Sequence, residues 1–195
     1  MPSDPASDLL ALKQILLRGS VRFGDFTLVS GQKSNVYVDS KLTTYSAEAI
    51  PLIGRAFLRK MAEAGWVPEA VGGLTLGADP IALAIACESI PEAGRPINAF
   101  VVRKEGKKHG MQRFIEGLEV TEGLAVVIID DVCTTGGSTA QAIQKAKEAG
   151  MQVLGAICLV DREMGAEELL SRDFACPLVS VFKLSDLRKS DASAV

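Results

Sequence analysis

The spacing of apolar and polar positions changes several times along this 195-residue chain, and the changes divide it into elements. Residues 7–17 (SDLLALKQILL) have helical spacing, with Ser7 or Asp8 placed to cap the helix. Residues 23–42 are rich in Gly, Ser and β-formers and predict two short strands about a turn at Ser30-Gly31. A long helix is predicted over 47–64, stopped by Gly65. A regular rhythm then begins. Strands are predicted at 70–73, 97–102, 124–130, 153–160 and 178–182, with helices at 79–88, 139–149 and 166–171. Asp79-Pro80 reads as a helix cap followed by a first-turn proline. The tail 185–195 is polar and is expected to fray.

Strands alternating with helices at this spacing predict an α/β fold: an open, mainly parallel sheet flanked by helices. The strands are almost wholly apolar, as strands buried on both faces must be. The first 45 residues stand outside the rhythm and predict a small N-terminal hood over one end of the sheet. The expected division is 1–45 hood, 46–185 core and 186–195 polar tail, all one structural unit. In such folds ligands gather beyond the C-terminal strand ends. Four of those ends carry polar or glycine pairs: Gly72-Gly73, Arg103-Lys104, Asp130-Asp131 and Asp161-Arg162.

Composition narrows the classes. The four cysteines (Cys87, Cys133, Cys158, Cys176) are far apart, and His109 is the only histidine, which argues against a zinc site and for buried, reduced thiols. The apolar runs fall short of the ~20 residues of a membrane span, and MPSDPASD is no signal peptide. Cytoplasmic residence without a membrane partner is the expectation. The net charge is −3, yet residues 103–113 (RKEGKKHGMQR) hold five basic residues and one acid, leaving −7 elsewhere. A nucleic-acid binder would spread basic charge over a face or groove. One compact cationic island in an acidic chain points instead to a small anion.

The strongest local signal is AVVIIDDVCTTGGST (125–139). A buried strand leads to Asp130 and Asp131, and a glycine-containing loop then opens a helix. Gly136 and Gly137 let the backbone bend and approach a ligand. Thr134, Thr135, Ser138 and Thr139 add hydroxyls, and the helix N-terminus adds unpaired N–H groups, which together form a phosphate receptacle. Carboxylates repel phosphate but accept hydrogen bonds from sugar hydroxyls or from the waters of magnesium. Phosphate beside vicinal hydroxyls is the pattern of ribose 5-phosphate. No Lys follows the glycines as in a Walker A loop, and no G-x-G-x-x-G is present.

The run DDVCTTGGST closely resembles the signature with which phosphoribosyltransferases bind 5-phosphoribosyl 1-diphosphate (PRPP). The resemblance implies that Asp130 and Asp131 hold the ribose hydroxyls. It also places Val132, Cys133, Thr134, Thr135, Gly136, Gly137 and Ser138 around PRPP. The pattern R-K-x-x-K-x-H-G resembles the catalytic loop of the orotate-using branch of that family, with Arg103, Lys104, Lys107 and His109 in the PRPP-contacting positions. Lys104, Lys107, His109, Asp130 and Asp131 are then the catalytic candidates. The lone histidine is placed to donate a proton to the leaving pyrophosphate.

On the acceptor side, the resemblance puts Tyr37 and Val38 beside orotate and gives its carboxylate to Arg162, helped by Thr134. It implies Mg²⁺ held mainly by PRPP or pyrophosphate, reaching Asp130 and Asp131 through water, with no direct protein ligand. It further implies a homodimer in which the 103–113 loop serves the neighbouring site, and no nucleic-acid partner. The chain departs from many relatives at Val29 and Gly77, where they carry lysines, so that backbone amides near 75–78 must serve the pyrophosphate. Purine-using members are expected to lack the basic loop and Arg162. A PRPP-sensing regulator is expected to add a DNA-binding surface.

Overall fold

Asp4 accepts a hydrogen bond from the Ala6 amide at 3.2 Å and so starts α1 (Pro5–Gly19), in a computed structural model that describes residues 4–27, 33–105 and 114–188. The helix thus begins earlier than the predicted cap at Ser7 or Asp8. Asp8 is a turn inside it, and its carboxylate accepts from Arg55 at 2.7 Å. Strands β1 (Val21–Thr27) and β2 (Lys33–Val38) form an antiparallel hairpin. The predicted Ser30-Gly31 turn, with Val29, lies outside the described residues. Short α2 (Lys41–Thr44) follows, unforeseen, and α3 (Ile50–Glu63) begins at Ile50 with Pro51 in its first turn rather than at residue 47.

The remaining elements are β3 (Ala70–Leu74), α4 (Asp79–Ala93), β4 (Asn98–Val102), β5 (Ile115–Glu116), β6 (Ala125–Cys133), α5 (Gly137–Glu148), β7 (Gln152–Asp161), α6 (Ala166–Phe174), β8 (Leu178–Lys183) and α7 (Leu184–Arg188). The main sheet has the order β5-β4-β3-β6-β7-β8, parallel throughout except for β5. The predicted open, mainly parallel sheet with a small N-terminal hairpin is therefore present.

Two apolar layers cover the sheet, and strand periodicity assigns residues to them. Val127, Ile129, Ile157 and Leu159 face a layer built with α1, α3 and α4. Val126, Ile128 and Ala156 face the layer under α5 and α6. Helix α1 contributes Leu12 and Leu16, both fully buried, at about 1.5–3 kcal/mol of burial each. Arg55 links α1, α3 and α4 through Asp8 and Glu88, and these carboxylates raise its pKa.

Several boundaries depart from expectation. Asp79 is the first residue of α4 rather than its cap; its carboxylate accepts from Thr75 Oγ1 at 2.6 Å. Helix α4 runs on to Gly94, whose left-handed φ of 67° closes it. The tail is helical through Arg188 because Leu184 and Leu187 are buried against the core. Cys87 is exposed on α4, whereas Cys133, Cys158 and Cys176 are buried as expected.

Candidate functional site

After β3 the chain turns to β4 on one side and later returns to β6 on the other, so the strand order reverses between β3 and β6. A crevice at the C-terminal ends of those strands is where the topology leaves room for a ligand. The segment 75–78 and the segment 134–136 border it.

Strand β6 extends through Cys133, three residues beyond its predicted end, because Val132 and Cys133 continue to pair with Val160 and Asp161 of β7. The connection to α5 is correspondingly tight. Gly136 caps the helix at φ 84°, a left-handed conformation that glycine tolerates best, and α5 opens at Gly137 rather than at Thr139. The resulting concavity is about 220 Å³ and is lined by Asp130 and every residue from Val132 to Thr139. All of Val132, Cys133, Thr134, Thr135, Gly136, Gly137 and Ser138 are thus brought together with Asp130.

Asp131 is not in that lining, and the reason is the strand itself. Successive strand residues point to opposite faces, so the two carboxylates part. Asp130 turns toward α5, where Thr139 Oγ1 donates to its Oδ2 at 2.6 Å. Its Oδ1 accepts from the Asp131 amide at 3.0 Å. Burial raises the Asp130 pKa from 3.8 to about 7; the Thr139 hydrogen bond opposes that rise, and the Asp131 charge adds to it. Asp131 turns toward the N-terminal segment. Ser40 Oγ donates to it at 2.5 Å, the Val132 amide at 2.9 Å, and Lys41 Nζ stands 3.9 Å away.

Gly77 closes on the same carboxylate. A Cβ there would lie 2.5 Å from Asp131 Oδ1, so the segment can approach only because the side chain is missing. This gives the departure at Gly77 a physical content: backbone stands where a side chain would otherwise intrude.

Arg162 follows β7, and its amide donates to the Cys133 carbonyl at 2.9 Å, which ties it to the end of β6. Its guanidinium donates to the Val36 carbonyl at 3.2 Å. Burial lowers its pKa, and the nearby Arg188 adds to that. Arg162 shares a cavity of about 580 Å³ with Phe26, Lys33, Asn35 and Arg188, where Asp25 is the one acid in the lining. Three cations against one carboxylate favour an anionic ligand. Tyr37 is half-exposed and packs on Phe26 with ring centroids 5.6 Å apart. Val38 points to the other face of β2 and packs on the core, so only one of this predicted pair stands on the cavity side.

Arg103 and Lys104 stand at the end of β4, on a cavity of about 440 Å³ that Thr75 and Glu116 also line. Arg103 is ion-paired with Glu116 at 2.8 Å, and Lys104 is exposed. Lys107 and His109 lie outside the described residues. Among the described residues, no group of three or more His, Cys, Asp or Glu side chains is placed to hold a metal ion directly.

Ser40, Lys41 and Glu116 were not anticipated. Each meets the site only through contacts distant in sequence, and no local pattern marks them. Thr139 was visible as one more hydroxyl of the loop, and its pairing with Asp130 follows from the tight turn at Gly136.

The chain matches the phosphoribosyl transferase domain family over residues 56–185. It is 46% identical over 176 residues to the orotate phosphoribosyltransferase of Corynebacterium glutamicum, covering 90% of this chain and 91% of that one. The crystal structure of Mycobacterium tuberculosis H37Rv orotate phosphoribosyltransferase in complex with Fe(III) dicitrate superposes with a TM-score of 0.80 at 43% identity, covering 92% of this chain and 98% of that one. The same enzyme in complex with PRPP gives 0.76 at 38% identity, covering 93% and 99%.

Proposed function

Because the chain belongs to the phosphoribosyltransferase family, among its orotate phosphoribosyltransferases, we propose that its crevice works as follows. The reaction transfers the 5-phosphoribosyl group from PRPP to orotate, giving orotidine 5′-monophosphate and pyrophosphate. The observation that carries the reading is the cradle: a buried carboxyl, four hydroxyls and a helix N-terminus around one concavity.

The 5-phosphate sits on the amides and hydroxyls of 134–138, at the positive end of α5. Asp130 faces the ribose hydroxyls from within the cradle. Asp131 reaches them from the opposite side, where Ser40 and Lys41 hold it. Arg162 takes the orotate carboxylate as a planar fork, with Thr134 beside it and Tyr37 flanking the ring. No covalent nucleophile is required. The transition state is loose and cationic at the anomeric carbon, and catalysis rests on positioning and on charge at the leaving group. Arg103, Lys104 and Lys107 neutralise the departing pyrophosphate, and His109 supplies it with a proton. Arg103 leaves Glu116 to do so.

Asp130 and Asp131 would face Mg²⁺ through water, and the ion, held mainly by PRPP, would supply positive charge at the leaving group. Two copies form the working unit, with segment 103–113 of one serving the site of the other. Exposed Leu76, Leu83 and Ile90 at and before α4 supply apolar surface consistent with a subunit contact. Four free cysteines and a pyrimidine-forming reaction fit the cytoplasm. No helix among the described residues is long and apolar enough to cross a membrane.

The test is a spectrophotometric assay of orotate consumption with PRPP and Mg²⁺, with adenine, hypoxanthine and uracil as alternative acceptors. Turnover with orotate that stops when Mg²⁺ is chelated is expected. Turnover of a purine but not of orotate overturns the reading.

A further inference from the structure

Lys145 lies on α5, eight residues past Gly137, or about 12 Å along the helix from the phosphate cradle. An exposed lysine ordinarily faces water or a carboxylate. This one is partly buried, and its Nζ donates to two carbonyl oxygens: Arg103 at 2.8 Å and Lys104 at 2.7 Å. It also stands 4.4 Å above the centroid of the Phe114 ring, in cation–π geometry. Those contacts fall on both sides of residues 106–113, and the Arg103 amide donates to the Phe114 carbonyl at 2.8 Å between them.

Two acids, Glu119 and Glu148, line the same cavity as Lys145, yet the ammonium donates to the two carbonyls. What the ammonium adds is reach and three donors, enough to hold two successive carbonyls and an aromatic face at once.

We propose that Lys145 is a positioning residue: it fixes both ends of the cationic segment to the helix that opens at the phosphate cradle. The Arg103 and Lys104 backbone and the Phe114 ring then stand in a set register to the helix that opens at the cradle. The inference rests on the reading of Lys107 and His109 given above, but its anchor is independently measurable.

The test compares Lys145→Met, which keeps the stem and removes the donors, with Lys145→Arg, which keeps charge and donors. Hydrogen exchange at the Arg103 amide should quicken about tenfold in the Met variant and stay near the parent rate in the Arg variant. The Ile143 amide inside α5 should be unaffected in both. The kcat of the Met variant should fall about tenfold with an unchanged KM for orotate, as expected of misplaced catalytic groups. Adding Lys145→Met to Lys107→Ala should cost no more than Lys107→Ala alone.

Unchanged exchange at Arg103 overturns the anchor. Faster exchange with unchanged kcat overturns the positioning role, and so does full additivity in the double variant. If Lys107→Ala itself leaves activity intact, the catalytic half of the inference falls together with the reading beneath it. The exchange rates then judge the anchor alone.

Discussion

Asp130 is buried as a carboxyl within the cradle, and its titration shows what that burial costs. In the folded chain its carboxyl takes up a proton below about 7, against 3.8 ordinarily. Between those values the folded state binds the extra proton, so this residue's contribution to stability declines as pH rises through that window. Asp130→Asn removes the charge while leaving an oxygen to accept from Thr139. The variant should therefore melt higher than the parent at pH 8 and show a much smaller difference at pH 5, at about 2–4 °C for each kcal/mol relieved. Activity should be lost at both values. Thermal melts at the two pH values decide the point, and a difference independent of pH would refute the assignment. The strand turns Asp131 the other way, toward Ser40 and Lys41, where its side chain keeps 14% exposure.

At the scale of elements, the cradle between β6 and α5 was legible because it is contiguous. Asp130 to Thr139 spans ten residues, and small, hydroxylated and acidic types in that order admit few other purposes. What the order could not convey is geometry. Strand β6 continues to Cys133 because β7 offers it partners, and that extension separates the two acids. Contacts across long separations were also invisible: Ser40 meets Asp131 across 91 positions, and Lys145 meets Arg103 across 42. The rhythm of strands and helices fixed the sheet, while short α2 and β5 carry too few residues to show a period. Helix α1 was readable as a helix but not as a core element, since its burial depends on α3 packing against it. Leu16→Ala should accordingly destabilise the whole chain by about 2–5 kcal/mol in urea unfolding, with a single transition. A separate early transition confined to the N-terminal segment would instead make that segment an independent unit.

For the whole molecule, the acidic balance and the one cationic island acquire a common meaning if each island serves a neighbouring site. Mixing supplies the decisive observation. Lys107→Ala has a defective segment and an intact cradle, whereas Asp130→Asn combined with Asp131→Asn has the reverse. A heterodimer of the two holds one site built wholly from unaltered parts, so equal mixing with subunit exchange should restore activity well above either variant alone. If each segment serves its own chain, every site in the mixture stays defective and nothing is recovered. Lys145→Met extends the logic. Anchoring the segment places it in the same class as Lys107→Ala, so it should be rescued by the Asp130/Asp131 variant and not by Lys107→Ala. Rescue in the opposite pairing would move Lys145 to the cradle, where α5 begins, and away from the cationic segment.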